Sequence, residues 1–370
     1  MPKKYFLIIF ILMISSFFYG VTVIEFQIFP YDSLKDIKTK FQKNSISTSQ
    51  SEIYENNVSK LLRINTTDDV FSKRSSLIQY IWKTSELPTT STFQINNDIS
   101  DTKYENFKNL EKIDQFSIVM DNGVKSFPYL FHSQTPNGNL IIYHQGHKGD
   151  FVYGSETIQT LLINGYDVLA FSMPLMGSNN QPIIDHPIFG KIRLTSHNHL
   201  RLLESDDFSP IKYFFEPITI SLNYIDQEYD YLSYSMIGIS GGGWTTTLYS
   251  AIDDRILKSF SISGSYPIYL RSDPKNFGDY EQTIPKLYSI SNYLELYVMS
   301  SYGQNRLHVQ FFTENDPCCF SGTNFKSYEE IISQKLLALN NGTFMIYLDK
   351  TQNEHKISEY DMEKILEHLP

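Results

Sequence analysis

The segment Tyr234–Ile252, YSMIGISGGGWTTTLYSAI, carries the strongest indication of a fold in this sequence. Its apolar first part, Tyr234–Ile239, indicates a strand, and Trp244–Ile252 indicates a helix, with Ser240 in the turn between them. Glycines around the serine suit a tight strand-to-helix turn, because a Cβ would obstruct the close passage of the backbone. In the pattern G-x-S-x-G this turn exposes the serine hydroxyl at the positive end of a helix. The pattern predicts a nucleophilic serine, with the N–H of Gly241 facing a developing oxyanion; a flexible glycine loop is the alternative interpretation.

Two side chains near later strand ends supply the partners that a serine nucleophile needs. His308–Thr313 predicts a buried strand, and Asp316 follows it, with Glu314 as the alternative acid. Phe344–Leu348 predicts another strand, and the loop after it carries His355. The order serine, acid, histidine predicts that the histidine accepts the serine proton while the acid orients the imidazole.

An earlier strand end predicts the second half of the oxyanion site. Asn139–Tyr143 indicates a strand that runs into the loop HQGHKG, in which Gly146 and His147 are the candidate donors. Tyr166–Met173 is the next strand-like segment. Strands and helices alternate over roughly 250 residues, which predicts an α/β fold with a mostly parallel central sheet flanked by helices, in a single domain over residues 113–370.

On these motifs the chain resembles the α/β-hydrolase superfamily, in the esterase-like branch near dienelactone hydrolases and acetyl xylan esterases. The resemblance covers about residues 115–370 and is carried by HQGH (His144–His147), NGYDVLAFSMP (Asn164–Pro174), GISGGGW (Gly238–Trp244), ENDP (Glu314–Pro317) and NEH (Asn353–His355). It implies a triad of Ser240, Asp316 and His355 and a two-step hydrolysis through an acyl-enzyme. The HQGH loop departs from the plain His-Gly opening of many esterases, so the identity of the second oxyanion donor stays open.

Two longer strings, FGDYEQTIPKLY (Phe277–Tyr288) and DPCCFSG (Asp316–Gly322), look like features of a distinct subgroup. The predicted activity is that of a carboxylesterase acting on a small-molecule or glycan ester. A catalytically inactive hydrolase fold that serves as a binding module is one alternative, and a peptidase or acyltransferase with the same triad is another.

Composition narrows the class of partner. The chain has 370 residues, a net charge of −10 and 41% hydrophobic residues, so it can bury a large core and offers no basic surface for nucleic acid. Cys318 and Cys319 are the only cysteines, and we expect them to pack beneath the acid loop. No cofactor and no metal is predicted, since the spacing of the possible ligands matches no tight motif; these are His144, His147, Asp185, His186, His197 and His199.

The N-terminal third has a different character. Tyr5–Ile24 carries no charge over 20 residues, a length sufficient for a transmembrane helix. Residues 1–26 are therefore predicted to be a membrane anchor that leaves the catalytic domain outside the cytoplasm, or else a signal segment that is cleaved on secretion. Residues 27–112 are predicted to be a spacer and an extension, in which the helix-like Val70–Thr84 packs on the core. Residues 175–209 are predicted to be an insertion near the site.

Overall fold

The computed structural model describes residues 14–16, 18–20, 57–89, 92–271 and 274–370. The chain divides into two units, residues 1–54 and 55–370. The predicted membrane segment, Tyr5–Ile24, lies outside the described residues except for 14–16 and 18–20, which are helical. Among the helices formed by described residues, none combines the length and the apolar character needed to cross a membrane.

Strands and helices alternate through most of residues 55–370. The helices are α1 (Val58–Leu61), α2 (Thr67–Trp82), α3 (Ser155–Ile163), α4 (His197–Leu200), α5 (Lys212–Glu228), α6 (Gly241–Ile252), α7 (Pro285–Ile290), α8 (Tyr293–Ser301), α9 (Glu329–Ala338) and α10 (Glu359–His368). The strands are β1 (Thr92–Asn96), β2 (Leu110–Val119), β3 (Lys125–Ser126), β4 (Tyr129–Ser133), β5 (Asn139–His144), β6 (Asp167–Phe171), β7 (Ile183–His186), β8 (Gly190–Arg193), β9 (Ser233–Ile239), β10 (Ile256–Ile262), β11 (Leu307–Thr313) and β12 (Thr343–Asp349).

The central sheet has the order β1-β2-β4-β6-β5-β9-β10-β11-β12, and β3 pairs with β2. From β6 to β12 each neighbouring pair is parallel, whereas β1, β2 and β4 pair antiparallel at the other end. The prediction of a mostly parallel sheet is therefore confirmed. The predicted domain boundary at residue 112 falls inside β2, so residues 92–112 contribute strands to the sheet itself. Polar residues are interspersed among the apolar ones along β2, which gives a weaker sequence signal than the continuous apolar runs of buried parallel strands.

Apolar layers cover both faces of the sheet. In β5, Leu140 and Ile142 enter one hydrophobic core, while Ile141 and Tyr143 enter the other, as the two-residue repeat of a strand requires. Helices α2, α5, α6, α8 and α9 pack on the first face, and α3 and α10 pack on the second. The layered packing fixes the carboxyl ends of the parallel strands, where functional side chains collect in folds of this kind.

Helix α2 begins three residues before the predicted helix and ends two residues before its predicted end. Thr66 and Asp69 form a reciprocal capping box at its start. Glu295 of α8, whose side chain is fully buried, forms ion pairs with Arg63 at 2.8 Å and with Lys73 of α2 at 3.2 Å. These contacts attach the N-terminal extension to the helical layer.

The predicted insertion, residues 175–209, contains the hairpin β7–β8 and the short helix α4. The hairpin forms its own two-stranded sheet, separate from the central one. Helix α4 contributes a buried histidine, His197, whose partners come from other parts of the chain.

Candidate active site

Ser240 occupies the turn between β9 and α6, with φ 55° and ψ −125°. This positive φ is unfavourable for a residue with a side chain and is typical of strained functional turns. The turn closes because Gly238 and Gly242 lack side chains: a Cβ on Gly238 would overlap the carbonyl of Gly242. The Ser240 N–H donates to the carbonyl of Ile262 at 2.8 Å, which ties the turn to β10. Ser240 as a whole residue is half-buried.

Asp316 and His355 meet beyond the carboxyl ends of β11 and β12. Nδ1 of His355 lies 2.8 Å from Oδ2 of Asp316, whose side chain is fully buried. The backbone N–H groups of Cys318 and Cys319 donate to Oδ1 at 2.8 and 3.1 Å. Burial alone would raise the pKa of Asp316, but the bond to His355 and these two N–H groups outweigh it and hold the pKa below its usual range. The carboxylate is therefore ionised at neutral pH and can hold the Nδ1 proton of the imidazole.

The other ring nitrogen of His355, Nε2, is buried and has no hydrogen-bond partner among the described residues. Glu314, the alternative acid, is 39% exposed and forms an ion pair with Lys350 at 3.4 Å. The geometry therefore pairs His355 with Asp316.

Ser263, which the sequence analysis did not identify, links the elbow to the acid. It follows β10 directly, with φ 43°, and its hydroxyl donates to Oδ2 of Asp316 at 3.0 Å. Its neighbour Ile262 accepts the N–H of Ser240. These contacts bring the serine and the acid to one edge of the sheet. A serine directly after a parallel strand was the signal available in the sequence.

The loop after β5 packs against the elbow. A Cβ on Gly146 would lie 2.6 Å from Cβ of Ser240 and 2.5 Å from the carbonyl oxygen of Ile239. A Cβ on Gly241 would lie 2.5 Å from Nδ1 of His147. Gly241 is the first residue of α6, so its N–H has no acceptor within the helix. The structure therefore places all three predicted oxyanion residues beside the serine.

The side chain of His147 joins a second polar cluster, in which three partners approach its Nε2. Nδ1 of His197 lies at 3.0 Å, Oε1 of Glu281 at 3.1 Å and Oδ2 of Asp279 at 3.3 Å. Nδ1 of His197 also lies 3.4 Å from Oε1 of Glu281. One potential ligand atom from each of the four residues fits within 4.8 Å of the others, so this group can hold a metal ion.

Burial and charge oppose each other in this cluster. Burial alone would raise the pKa of Glu281, but His197 and His147 outweigh it and hold that pKa well below its usual range. Burial likewise would lower the pKa of His197, but Glu281 and Asp279 outweigh it and raise that pKa. Nδ1 of the neighbouring His144 bonds to the backbone carbonyl of Gln145 at 2.9 Å, and the burial of this ring lowers its pKa to about 4.

The structure brings together only His147 and His197 of the metal ligands considered from the sequence. His186 bonds to the carbonyl of Leu202 at 2.9 Å, and His199 faces Thr195. Sequence reasoning missed the acidic members, Asp279 and Glu281, since their segment contains no histidine. Their spacing, two carboxylates separated by a single residue, was the available signal.

The two cysteines differ from the sequence expectation. Cys318 and Cys319 form a disulfide between neighbouring residues, whereas the sequence predicted a packing role. Their backbone position is as expected, because their N–H groups support the acid loop.

Comparisons with known proteins identify the fold. No protein-family model and no curated protein sequence matches the chain. Acetyl xylan esterase 1 from a Thermoanaerobacterium species matches with a TM-score of 0.54 and 12% identity, over 85% of this chain and 98% of that one. An acetyl xylan esterase from a Paenibacillus species matches with a TM-score of 0.53 and 14% identity, over 84% of this chain and 98% of that one. A glucuronoyl esterase from Solibacter usitatus matches with a TM-score of 0.52 and 13% identity, over 80% of this chain and 90% of that one.

At such low identities the likeness is one of fold. The chain has the α/β-hydrolase fold, in the form found in esterase structures, and the resemblance inferred from its motifs is confirmed at this level. Fold alone does not define chemistry, which has to be argued from the residues of the site.

Proposed function

We propose that the chain is a serine hydrolase that cleaves a carboxylic ester through an acyl-enzyme. The observation that carries the proposal is the His355–Asp316 pair, with Nδ1 bonded to the carboxylate at 2.8 Å and Nε2 without a hydrogen-bond partner in the described part of the chain. This pair lies at the same sheet edge as Ser240, whose strained turn opens a helix. A nucleophile, a base and an orienting acid are the components of acyl transfer by a serine.

In the first half-reaction, His355 Nε2 takes the hydroxyl proton of Ser240 as its oxygen attacks the ester carbonyl. The negative charge that develops on the carbonyl oxygen is held by the N–H of Gly241 and by the loop that contains Gly146 and His147. Such a donor contributes about 3 kcal/mol to the barrier, because it is already oriented before the reaction. Asp316 stays ionised and stabilises the imidazolium.

Collapse of the tetrahedral intermediate breaks the bond to the alcohol, which takes the proton from His355. Water then attacks the acyl-enzyme while His355 accepts its proton, and the second collapse releases the acid and restores Ser240. Each proton taken by the imidazole is returned within the same half-reaction, so the cycle needs no further reactant besides water.

The substrate class that we propose is a small-molecule or glycan ester, the kind of compound implied by the names of the acetyl xylan and glucuronoyl esterases that share the fold. Anchoring by residues 1–26, with the catalytic domain outside the cytoplasm, stays a prediction from the sequence, as does its alternative of secretion after cleavage.

Labelling of the full chain with a fluorophosphonate probe tests the proposal. The probe reacts with serines that a base activates, so the wild type is expected to be labelled and the Ser240→Ala and His355→Ala variants are not. Ser333→Ala is the matched control, because Ser333 is exposed on α9 and its hydroxyl donates to the carbonyl of Glu329 in the same helix. Its labelling is expected to equal that of the wild type.

A folded wild-type chain that resists the probe would refute the triad and favour a binding module with a hydrolase fold. Persistent labelling of Ser240→Ala would show that a different serine is activated. Circular dichroism and thermal melting of each variant ensure that a lost signal does not come from unfolding.

A further inference from the structure

The cluster beside the oxyanion loop has the dimensions of a tetrahedral metal site. A tetrahedron with metal–ligand bonds of 2.0–2.1 Å has edges of about 3.3–3.4 Å. Of the six distances between the ligand atoms, four are 3.0, 3.1, 3.3 and 3.4 Å, close to those edges, and a fifth, 3.9 Å, is about 0.5 Å longer. We infer that His147, His197, Asp279 and Glu281 bind one zinc ion.

The same distances argue against other metals. In a square plane with bonds of about 2.0 Å, opposite ligands lie about 4 Å apart, as in copper(II) and nickel(II) sites. The longest of these five distances, 3.9 Å, joins His197 to Asp279, so His147 and Glu281 would form the other diagonal. Those two atoms lie only 3.1 Å apart. Calcium and magnesium prefer oxygen ligands, so the two imidazoles favour zinc.

The orientation of His197 is the one that a metal ligand requires. Its Nε2 lies 2.9 Å from the carbonyl oxygen of Pro174, and a carbonyl can only accept, so this nitrogen carries the proton. In the neutral ring Nδ1 then bears a free lone pair, which points into the cluster. Zinc-bound histidines are commonly fixed in this way by a backbone carbonyl.

Glu281 supplies an independent indication. Its side chain is fully buried, and its Oε2 has no hydrogen-bond partner among the described residues. A buried carboxylate with an unpaired oxygen is costly unless a cation lies close to it. A divalent ion would neutralise Glu281 and Asp279 together and could take the second oxygen as a ligand.

An ion-pair network without a metal explains the geometry less well. If both imidazoles were protonated, His147 Nε2 and His197 Nδ1 would both be donors, yet they lie only 3.0 Å apart. If only His147 Nε2 carried a proton, this one N–H would be shared between His197 Nδ1 at 3.0 Å and Glu281 Oε1 at 3.1 Å, and Oε2 of the buried Glu281 would still have no partner among the described residues. A cation between the four ligand atoms removes both conflicts.

The site joins three segments that are distant in sequence. His147 belongs to the oxyanion loop, His197 to the insertion, and the two acids to the segment before α7. Asp279 is 37% exposed, which gives an ion access from solvent. The ion would therefore hold the loop against Ser240 and act as a positioning element for the proposed hydrolase.

Zinc binding by the purified full chain tests the inference without any need for a substrate. After treatment with a chelator and its removal, isothermal titration with zinc chloride is expected to show one ion per chain and a rise in the melting temperature. Asp279→Asn and Glu281→Gln are expected to weaken binding at least about a hundredfold. His199→Ala is the control, since this ring lies two residues from His197 but faces Thr195.

Asp279→Asn keeps the inference testable if the buried Glu281→Gln variant fails to fold, because Asp279 lies partly in solvent. A folded wild type that binds no zinc would overturn the inference, and so would equal binding by wild type and Asp279→Asn. Fluorophosphonate labelling of the same samples separates the two proposals, because an activated serine without a zinc site would refute only this one.

Discussion

Replacing Gly146 by alanine tests whether the loop after β5 forms part of the oxyanion site. The new Cβ would lie 2.5 Å from the carbonyl oxygen of Ile239 and 2.6 Å from Cβ of Ser240. Neither atom can rotate away, because one belongs to the backbone of β9 and the other is fixed by the strained turn. The loop must therefore move away from the elbow.

The size of that movement follows from ordinary packing distances, which begin at 3.4 Å for such contacts. The two gaps must widen by about 0.9 and 0.8 Å, the differences between 3.4 Å and 2.5 or 2.6 Å. A misplacement of about 1 Å costs about a hundredfold in rate, which corresponds to about 2.7 kcal/mol in the barrier. Loss of one oxyanion donor has a similar cost.

The assay is the second-order rate constant for labelling by a fluorophosphonate, whose phosphoryl oxygen occupies the oxyanion site and which requires no knowledge of the substrate. We expect Gly146→Ala to be labelled about a hundred times more slowly than the wild type, at the same final stoichiometry. The stoichiometry is preserved because the change does not remove Ser240 or His355.

Gly190→Ala is the matched control for the general effect of adding a methyl group. Gly190 also has a positive φ, 70°, but no heavy atom lies within 4 Å of the position of its Cβ. We expect this variant to lose about 1 kcal/mol of stability and to be labelled at the same rate as the wild type. A Gly146→Ala rate within threefold of the wild type, or an equal loss in both variants, would refute the placement of this loop.

Two further predictions concern stability. Glu295→Gln removes the buried carboxylate that pairs with Arg63, and we expect the free energy of unfolding in urea to fall by about 2–3 kcal/mol. Asp254→Asn is the control, because it removes a carboxylate that is 71% exposed and pairs with Arg74, and it should cost less than about 1 kcal/mol. Equal losses of stability in the two variants would contradict the role of Glu295 in attaching the extension. Burial lowers the pKa of His308 to about 3. Between pH 6.5 and pH 3 this ring therefore binds a proton in the unfolded chain but not in the folded one, and the free energy of unfolding decreases as the pH is lowered. We will compare the free energy of unfolding in urea at pH 7, 6 and 5 for the wild type and His308→Gln. Below pH 6 the free energy of the variant should fall by about 1.4 kcal/mol less per pH unit than that of the wild type, and an equal dependence on pH in both proteins would refute this prediction.

The sequence predicted the elements that local chemistry encodes. The glycines around Ser240 mark the turn, because only residues without a Cβ allow the close approach of Gly238 and Gly242. The apolar runs predicted β9, β11 and β12 to within one or two residues at each end. Strand β1 and the start of β2 were assigned to the extension, because these partly exposed strands lack such a run.

The placement of site residues was predictable where they follow a strand end. Asp316 and His355 were selected from the order of strands and loops, and the structure places them in contact. The choice between Asp316 and Glu314 needed coordinates, because both follow β11 and only the direction of each side chain separates them. Ser263 was missed although it too follows a strand end, since its role depends on contacts with Asp316 beyond the neighbouring strand.

Strand periodicity and glycine placement act over a few neighbouring residues, so the amino-acid sequence was sufficient to predict the α/β-hydrolase fold, the elbow and the order of the candidate triad. The convergence of His147, His197, Asp279 and Glu281 is visible in the folded domain alone. His147 and Glu281 are separated by 134 residues, and their contact depends on how the insertion and the segment before α7 fold over the sheet edge. No local pattern encodes that distance, since it is set by the packing of the whole domain.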